Sequence, residues 1–299
     1  MEGGRPRRDA PVVRRVLAHA AESSMGKNQA KTEAPRPWRR NRRWPIATAV
    51  VVVAGLVVLA AAASAELTQT GDLFVRFDGG IAPRDLPRDS LSPIAVRIEG
   101  TIRTPPGKSP PPLRKIRVAL NRAGRLDPRG LPICGRGRIR SATTVQALDA
   151  CGPSLVGSGG ITAVSSFPDQ PNYLMRAEVV LFNAVVHGRS AILAHIYQHD
   201  PAPITRLVVF KIRRTGGAFG TVIEADIPES INENGYLKTI YLQLQRRFTF
   251  QGEDRSYLSA SCSTPAGVPV ALFPFANASM TFEDGRTLRS IMMRTCRAR

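Results

Sequence analysis

An all-β domain preceded by a single hydrophobic segment is what this sequence predicts, and three observations predict it. Beyond residue 70, apolar and polar side chains alternate with period two in run after run. Glycine, proline and asparagine turn signals separate those runs, and only one stretch carries a helix signature. About ten short strands with one short helix point to a β-sandwich, or a related barrel, of one domain.

The chain opens with 44 residues holding twelve basic and four acidic side chains, expected to be a disordered cytoplasmic tail. Arginines 39, 40, 42 and 43 then precede a low-polarity run over residues 45–65, with its strongly apolar centre at Val50–Leu59. A ten-residue centre followed by Ala63-Ser64-Ala65 reads as a signal peptide cut between Ala65 and Glu66. The alternative is that the full 21 residues, with Trp44 at the edge, form a single membrane span. Under either reading the arginines keep the N-terminus inside, and residues 66–299 are exported. Met25 offers an alternative start with a more ordinary basic leader. Arg42-Arg43 followed by Trp44-Pro45 is a poor twin-arginine signal.

Four cysteines, Cys134, Cys151, Cys262 and Cys296, all follow that segment. An even number in an exported chain suggests disulfides, and of three pairings the local one is expected: Cys134–Cys151 and Cys262–Cys296. No C-x-x-C occurs, and no metal or cofactor is implied.

Strands are expected where Ile94, Val96, Ile98 and Ile102 oppose Arg97, Glu99, Thr101 and Arg103. The same pattern places Ile116, Val118 and Leu120 on one face, then Val208, Phe210 and Ile212, then Ile223, Ala225 and Ile227. A long strand is expected from Ile240 to Phe250, with further runs near 72–78, 174–183, 190–198, 255–263, 269–275 and 286–296. The helix candidate is SATTVQALDAC, with Ser141 as N-cap and Gly152 as stop.

The stretches RFDGGIAP, LDPRGLPICGRGRI, ATTVQALDACGPSLVGSGG, GRSAILAHIY, DRSYLSASC and FPFANASMTFEDG resemble a group of uncharacterised exported proteins of high-GC actinobacteria. The resemblance covers roughly residues 71–299. It implies an envelope location and brings no activity and no functional residue.

Several constellations invite chemistry. His187, His195 and His199 share a face by strand parity and are the metal or acid–base candidates, although positions four apart on a straight strand lie about 13 Å apart. Glu224 and Asp226 share a face about 6–7 Å apart, the spacing of a glycosidase carboxylate pair. CGPSLVG and VGSGG both miss the nucleophile elbow by one glycine. Arg246 falls on the apolar side of the 240–250 strand, so it needs a bulge, an acidic partner or an anionic ligand.

The net charge is +19, and all but six of the 42 basic residues are arginine. The excess reads either as attraction to phosphate or carboxylate polymers or as a coding bias toward Arg, Ala, Gly, Pro and Val. In the β-rich part no run of basic residues is interleaved with aromatics, so nucleic acid is not an expected partner. The expected function is a non-catalytic envelope protein that binds an anionic surface polymer through Arg97, Arg103, Arg117, Arg246 and Arg247. The alternatives are a secreted glycan hydrolase, with Glu224, Asp226 or His195 in catalysis, and a scaffold that pairs through edge strands. Oligomeric state is left open.

Overall fold

The computed structural model describes residues 65–165, 171–232 and 235–299. The expectations for the basic tail, for the hydrophobic segment up to Ser64 and for the start codon lie outside these residues. Among the described residues no helix is long and apolar enough to cross a membrane.

Eighteen strands form among the described residues. First come β1 (Glu66–Thr70), β2 (Leu73–Ala82), β3 (Asp85–Leu86), β4 (Ser92–Pro93), β5 (Ala95–Arg103), β6 (Leu113–Asn121) and β7 (Gly124–Leu126). Helices α1 (Arg136–Ile139) and α2 (Thr144–Cys151) follow. Then come β8 (Leu155–Ser165), β9 (Tyr173–Val186), β10 (Arg189–Gln198), β11 (Ile204–Arg214) and β12 (Phe219–Asp226). Helix α3 (Glu229–Asn232) leads to β13 (Gly235–Leu244), β14 (Arg247–Phe250), β15 (Glu253–Ser256), β16 (Leu258–Ala260), β17 (Val270–Phe282) and β18 (Thr287–Ala298).

Thirteen of these strands make one sheet, in the order β1-β2-β5-β13-β8-β9-β10-β11-β12-β6-β17-β18-β3. All neighbours are antiparallel except β3, which joins β18 in parallel. The sheet curls until its two sides face each other: a Cβ added to Gly100 on β5 would lie 2.8 Å from Met280 on β17. The edges also meet, because the Met293 amide on β18 donates to the Glu66 carboxylate on β1 at 3.2 Å. The all-β class therefore holds. The alternation suggests ten strands and the molecule forms eighteen, because two- to four-residue strands such as β3, β4 and β7 are too short to alternate.

The period-two pattern points its apolar half into the curl. Val75, Phe77, Val96, Ile102, Val118, Leu181, Ile192, Leu242 and Met280 are all buried in one interior cluster. β9 and β10 are buried on both faces. Val179, Leu181, Ile192 and Ala194 point inward, while Val180, Phe182, Ala191 and Leu193 join a second cluster beneath α1 and α2. This explains why VVLFNAVV reads as continuous rather than alternating.

Helix α2 is where the sequence places it, but its N-cap is Thr143 and not Ser141. The Thr143 hydroxyl accepts from the Gln146 amide, and the Gln146 Oε1 accepts from the Thr143 amide at 2.9 Å, a capping box. Both expected disulfides form: Cys134–Cys151, with Cα atoms 5.5 Å apart, ties the two ends of this helical layer together, and Cys262–Cys296 ties the β16–β17 loop to β18.

The expected strand over 240–250 breaks in two. β13 leaves the main sheet after Leu244, and the chain restarts at Arg247 in a separate hairpin with β15. Gln245-Arg246 is thus a break between sheets rather than a bulge within one strand, and the alternation that placed Arg246 on an apolar face does not continue across it. The β14–β15 turn, Gln251-Gly252, and the β9–β10 turn, His187-Gly188, both have positive φ at each residue (55° and 78°, 48° and 72°). That is the two-residue hairpin geometry that suits strand twist.

Candidate anion-binding surface

The strand registers sort the loops into two ends of the curl. One end gathers residues 83–94, 121–154, 187–189, 213–219, 245–269 and 297–299, including the helical layer over β9–β11. These residues hold sixteen of the thirty basic side chains of residues 66–299 and six of the nineteen acidic ones. Nearly all of the excess of eleven positive charges in residues 66–299 therefore sits at this end. The rest of residues 66–299 is close to balanced, with fourteen basic against thirteen acidic residues.

Not every arginine at this end is free. Arg129 grips Asp127 through Nε at 2.9 Å and Nη2 at 2.7 Å, and this bond holds the Asp127 carboxyl at about 2. Arg255 pairs with Glu253 and lies over the Phe250 ring. Arg214 donates to the Leu126 carbonyl. By contrast Arg122, Arg136, Arg138 and Arg140 are exposed and have no carboxylate partner among the described residues. The last three lie in GRGRIR, in and just after α1, which has no acidic residue in its first turn.

An open cleft of about 740 Å³ lies at the same end. Its walls are the Asn121–Ala123 turn, the Gly217-Ala218 turn, Ser261 and Ser263 beside the Cys262–Cys296 disulfide, and Phe273. Asn121 is committed to structure, donating to the Pro274 carbonyl at 2.9 Å and accepting from the Ala123 amide at 2.8 Å. The Arg122 guanidinium, the Ser261 hydroxyl and the Phe273 ring remain to meet a ligand. The volume falls in the range of small-molecule sites, roughly 300–1,000 Å³.

Apolar voids among the described residues of the interior are much smaller, about 30–50 Å³ each, the size of packing defects in an aliphatic core. At the end opposite the arginine-rich one, Arg206 and Gln198 line one of these voids, of about 30 Å³, too small for a ligand.

The residues singled out from the sequence scatter. Arg246 and Arg247 lie at the arginine-rich end, with the Arg246 Nε buried and unbonded and Arg247 exposed. Arg97 lies on β5 beside Glu99 at 3.6 Å. Arg103 closes β5 at the opposite end, and Arg117 sits in mid-sheet next to Glu224 at 3.8 Å. The five arginines are therefore not one binding face.

Glu224 and Asp226 do share the outer face of β12, as their spacing requires, but cations flank them on both neighbouring strands. Glu224 meets Arg213 at 3.3 Å, Lys115 at 3.8 Å and Arg117 at 3.8 Å. Asp226 meets Lys211 at 3.0 Å and Lys115 at 3.4 Å, and the Lys211 bond lowers its pKa. The Lys211 bond favours the charged form of Asp226, whereas a glycosidase acid must hold its proton.

The three histidines also stay apart. His187 occupies the β9–β10 turn, His199 follows β10, and His195 is fully buried under the helical layer. His195 Nε2 lies 2.9 Å from the Ala142 carbonyl, which Thr205 also bonds at 2.7 Å. A carbonyl only accepts, so Nε2 carries the proton, Nδ1 is bare and unbonded, and burial lowers the ring pKa. Among the described residues no group of three or more His, Cys, Asp or Glu side chains is placed to hold a metal ion.

The sequence signal for this surface is GRGRIR together with LNRAGR, arginine-bearing turns in which only Arg125 has a carboxylate beside it, Asp127 at 3.8 Å. Comparison with protein-family models, curated proteins and solved structures finds no match to this chain.

Proposed function

We propose that this chain is an exported, non-catalytic cell-envelope protein that binds an anionic surface polymer through the arginine-rich end of its curled sheet. The observation that carries the reading is the charge asymmetry: nearly all the positive excess of residues 66–299 lies at the end of the curl that also holds the open cleft lined by Arg122. Guanidinium forks match phosphate and carboxylate oxygens in pairs, and arginines without internal partners lose no ion pair on binding. The two disulfides fit a compartment outside the cytoplasm, where such polymers are found. The curled sheet serves as a rigid frame for the loops, in the manner of a barrel whose function sits at one rim.

Binding of polyphosphate and of polygalacturonate to the full chain tests this. Replacing Arg122, Arg136 and Arg138 together by glutamine should weaken binding at least about tenfold, a loss of roughly 1.4 kcal/mol. Replacing Arg103, Arg176 and Lys238 at the other end removes the same charge and should change little. Affinity should also fall steeply with added salt. Equal losses from both triple variants would reduce the effect to net charge and overturn the reading.

A further inference from the structure

The outer face of the β17–β18 hairpin is apolar where a soluble sheet would be polar. Val270 and Leu272 point outward from β17, and Ile291 and Met293 from β18; all four are exposed, Leu272 to 67 %. The register places them side by side: Leu272 pairs with Thr295, Pro274 with Met293 and Asn277 with Ile291. Their inward neighbours Phe275, Met292 and Cys296 are buried, so the patch is the second face of a correctly seated hairpin rather than a misplaced core. Contiguous exposed apolar surface of this kind marks an interaction site.

Two observations identify the occupant. The first is where the chain enters the fold. Glu66 starts β1 against this hairpin, its carboxylate accepting from the Met293 amide and pairing with Arg294 at 2.9 Å. In the covalent chain Glu66 directly follows the 21 low-polarity residues 45–65, and Leu67 beside it is 66 % exposed. The second is the charge pattern along β18. Its outward positions read Thr287, Arg289, Ile291, Met293, Thr295 and Arg297, an apolar centre with an arginine on each side. Arg289 has no carboxylate partner among the described residues, and Arg297 stands 3.7 Å from Asp85 with most of its side chain in solvent. Apolar side chains that enter the acyl boundary, flanked by cations at headgroup level, are the features of an interfacial membrane contact.

We infer that the outer face of β17–β18 rests on the outer leaflet of a lipid bilayer, with Leu272, Ile291 and Met293 in the interface and Arg289 and Arg297 on anionic headgroups. The inference rests on the reading of residues 45–65 as a retained span, which would make docking effectively intramolecular, so that a modest patch suffices. This inference stands apart from the polymer reading, which is tested at Arg122, Arg136 and Arg138; only Arg297 counts toward both.

The test uses the full chain reconstituted in vesicles of phosphatidylcholine and phosphatidylglycerol with brominated acyl chains. Leu272→Trp and Ile291→Trp place reporters on the patch, and Tyr241→Trp places one on β13, which lies across the sheet order. Trp38 and Trp44 are common to all variants and are subtracted as background. The Leu272→Trp and Ile291→Trp signals should be quenched and the Tyr241→Trp signal should not. Quenching that is absent at all three positions, or equal at all three, overturns the inference. So does a concentration-dependent blue shift of Leu272→Trp without vesicles, which would assign the patch to a second copy of the chain.

Discussion

Arg294 on β18 reaches Glu66 on β1 with Nη1 2.9 Å from Oε1, and this contact joins the first strand of the sheet to its last long one. The same guanidinium meets Asp78 on β2 at 3.0 Å and donates to the Gly79 carbonyl. Only 4 % of the Arg294 side chain is exposed. No β1–β18 ladder forms among the described residues, so a side-chain network closes the curl where backbone bonds do not.

Removing that arginine should therefore open the seam. Arg294→Met leaves two largely buried carboxylates facing each other, and should cost about 3–5 kcal/mol. Adding Glu66→Gln and Asp78→Asn to Arg294→Met should recover part of the loss, since it removes the unpaired charges. Urea unfolding of the three proteins in one detergent measures this.

Close approach of β8 to β13 sets a second prediction. A Cβ on Gly159 would stand 1.9 Å from the Tyr241 carbonyl, backbone that cannot swing away, whereas one on Gly160 would meet only the Ala177 carbonyl at 3.5 Å. Gly159→Ala should destabilise by about 3 kcal/mol, the upper range for overpacking. Gly160→Ala should be close to neutral. Paired thermal melts decide it.

His195 gives the fold an acid-sensitive limb. Burial lowers its pKa below the ordinary 6.5, so between the two values the unfolded chain binds a proton that the folded ring refuses. Stability is unaffected above 6.5, falls as pH drops below it at up to about 1.4 kcal/mol per pH unit, and levels off at the folded pKa. His195→Gln should lack this limb. Asp127 acts lower and with its own sign: its pKa is depressed from 3.8 to about 2, so its contribution is present above 3.8 and is lost toward pH 2. Unfolding followed from pH 8 to pH 3 should show the His195 limb first.

The two disulfides should fail differently. Cys262–Cys296 fastens the last strand, and replacing both residues by serine should lower global stability by roughly 3–4 kcal/mol. Cys134–Cys151 closes a loop that contains α1 and most of α2, and its loss should free that layer before the sheet melts. Limited proteolysis should then cut within residues 135–150 and weaken polyphosphate binding at temperatures where the sheet is intact.

Much of this fold is legible in the sequence, because a half-buried strand writes its geometry in alternation: β5, β6 and β12 carry the inward residues that period two assigns them. The local disulfide pairing is legible for a similar reason, since short loops favour near partners. The seam is not. Arg294 sits at an inward position of β18 and looks like any strand cation until β1 and β2 are known to lie beside it. Glu224 and Asp226 show the same limit: their shared face is readable, but the cations that neutralise them arrive from β6 and β11. The arginine-rich end is hidden because it is assembled from six segments, and only the strand order reveals that they converge.

Amide hydrogen exchange of the full chain with and without polyphosphate tests the central claim most directly. Slowed exchange confined to residues 121–140, 213–219 and 245–256 is the predicted result. Protection at residues 103–112 and 227–231 instead, or equally at both ends, would contradict it.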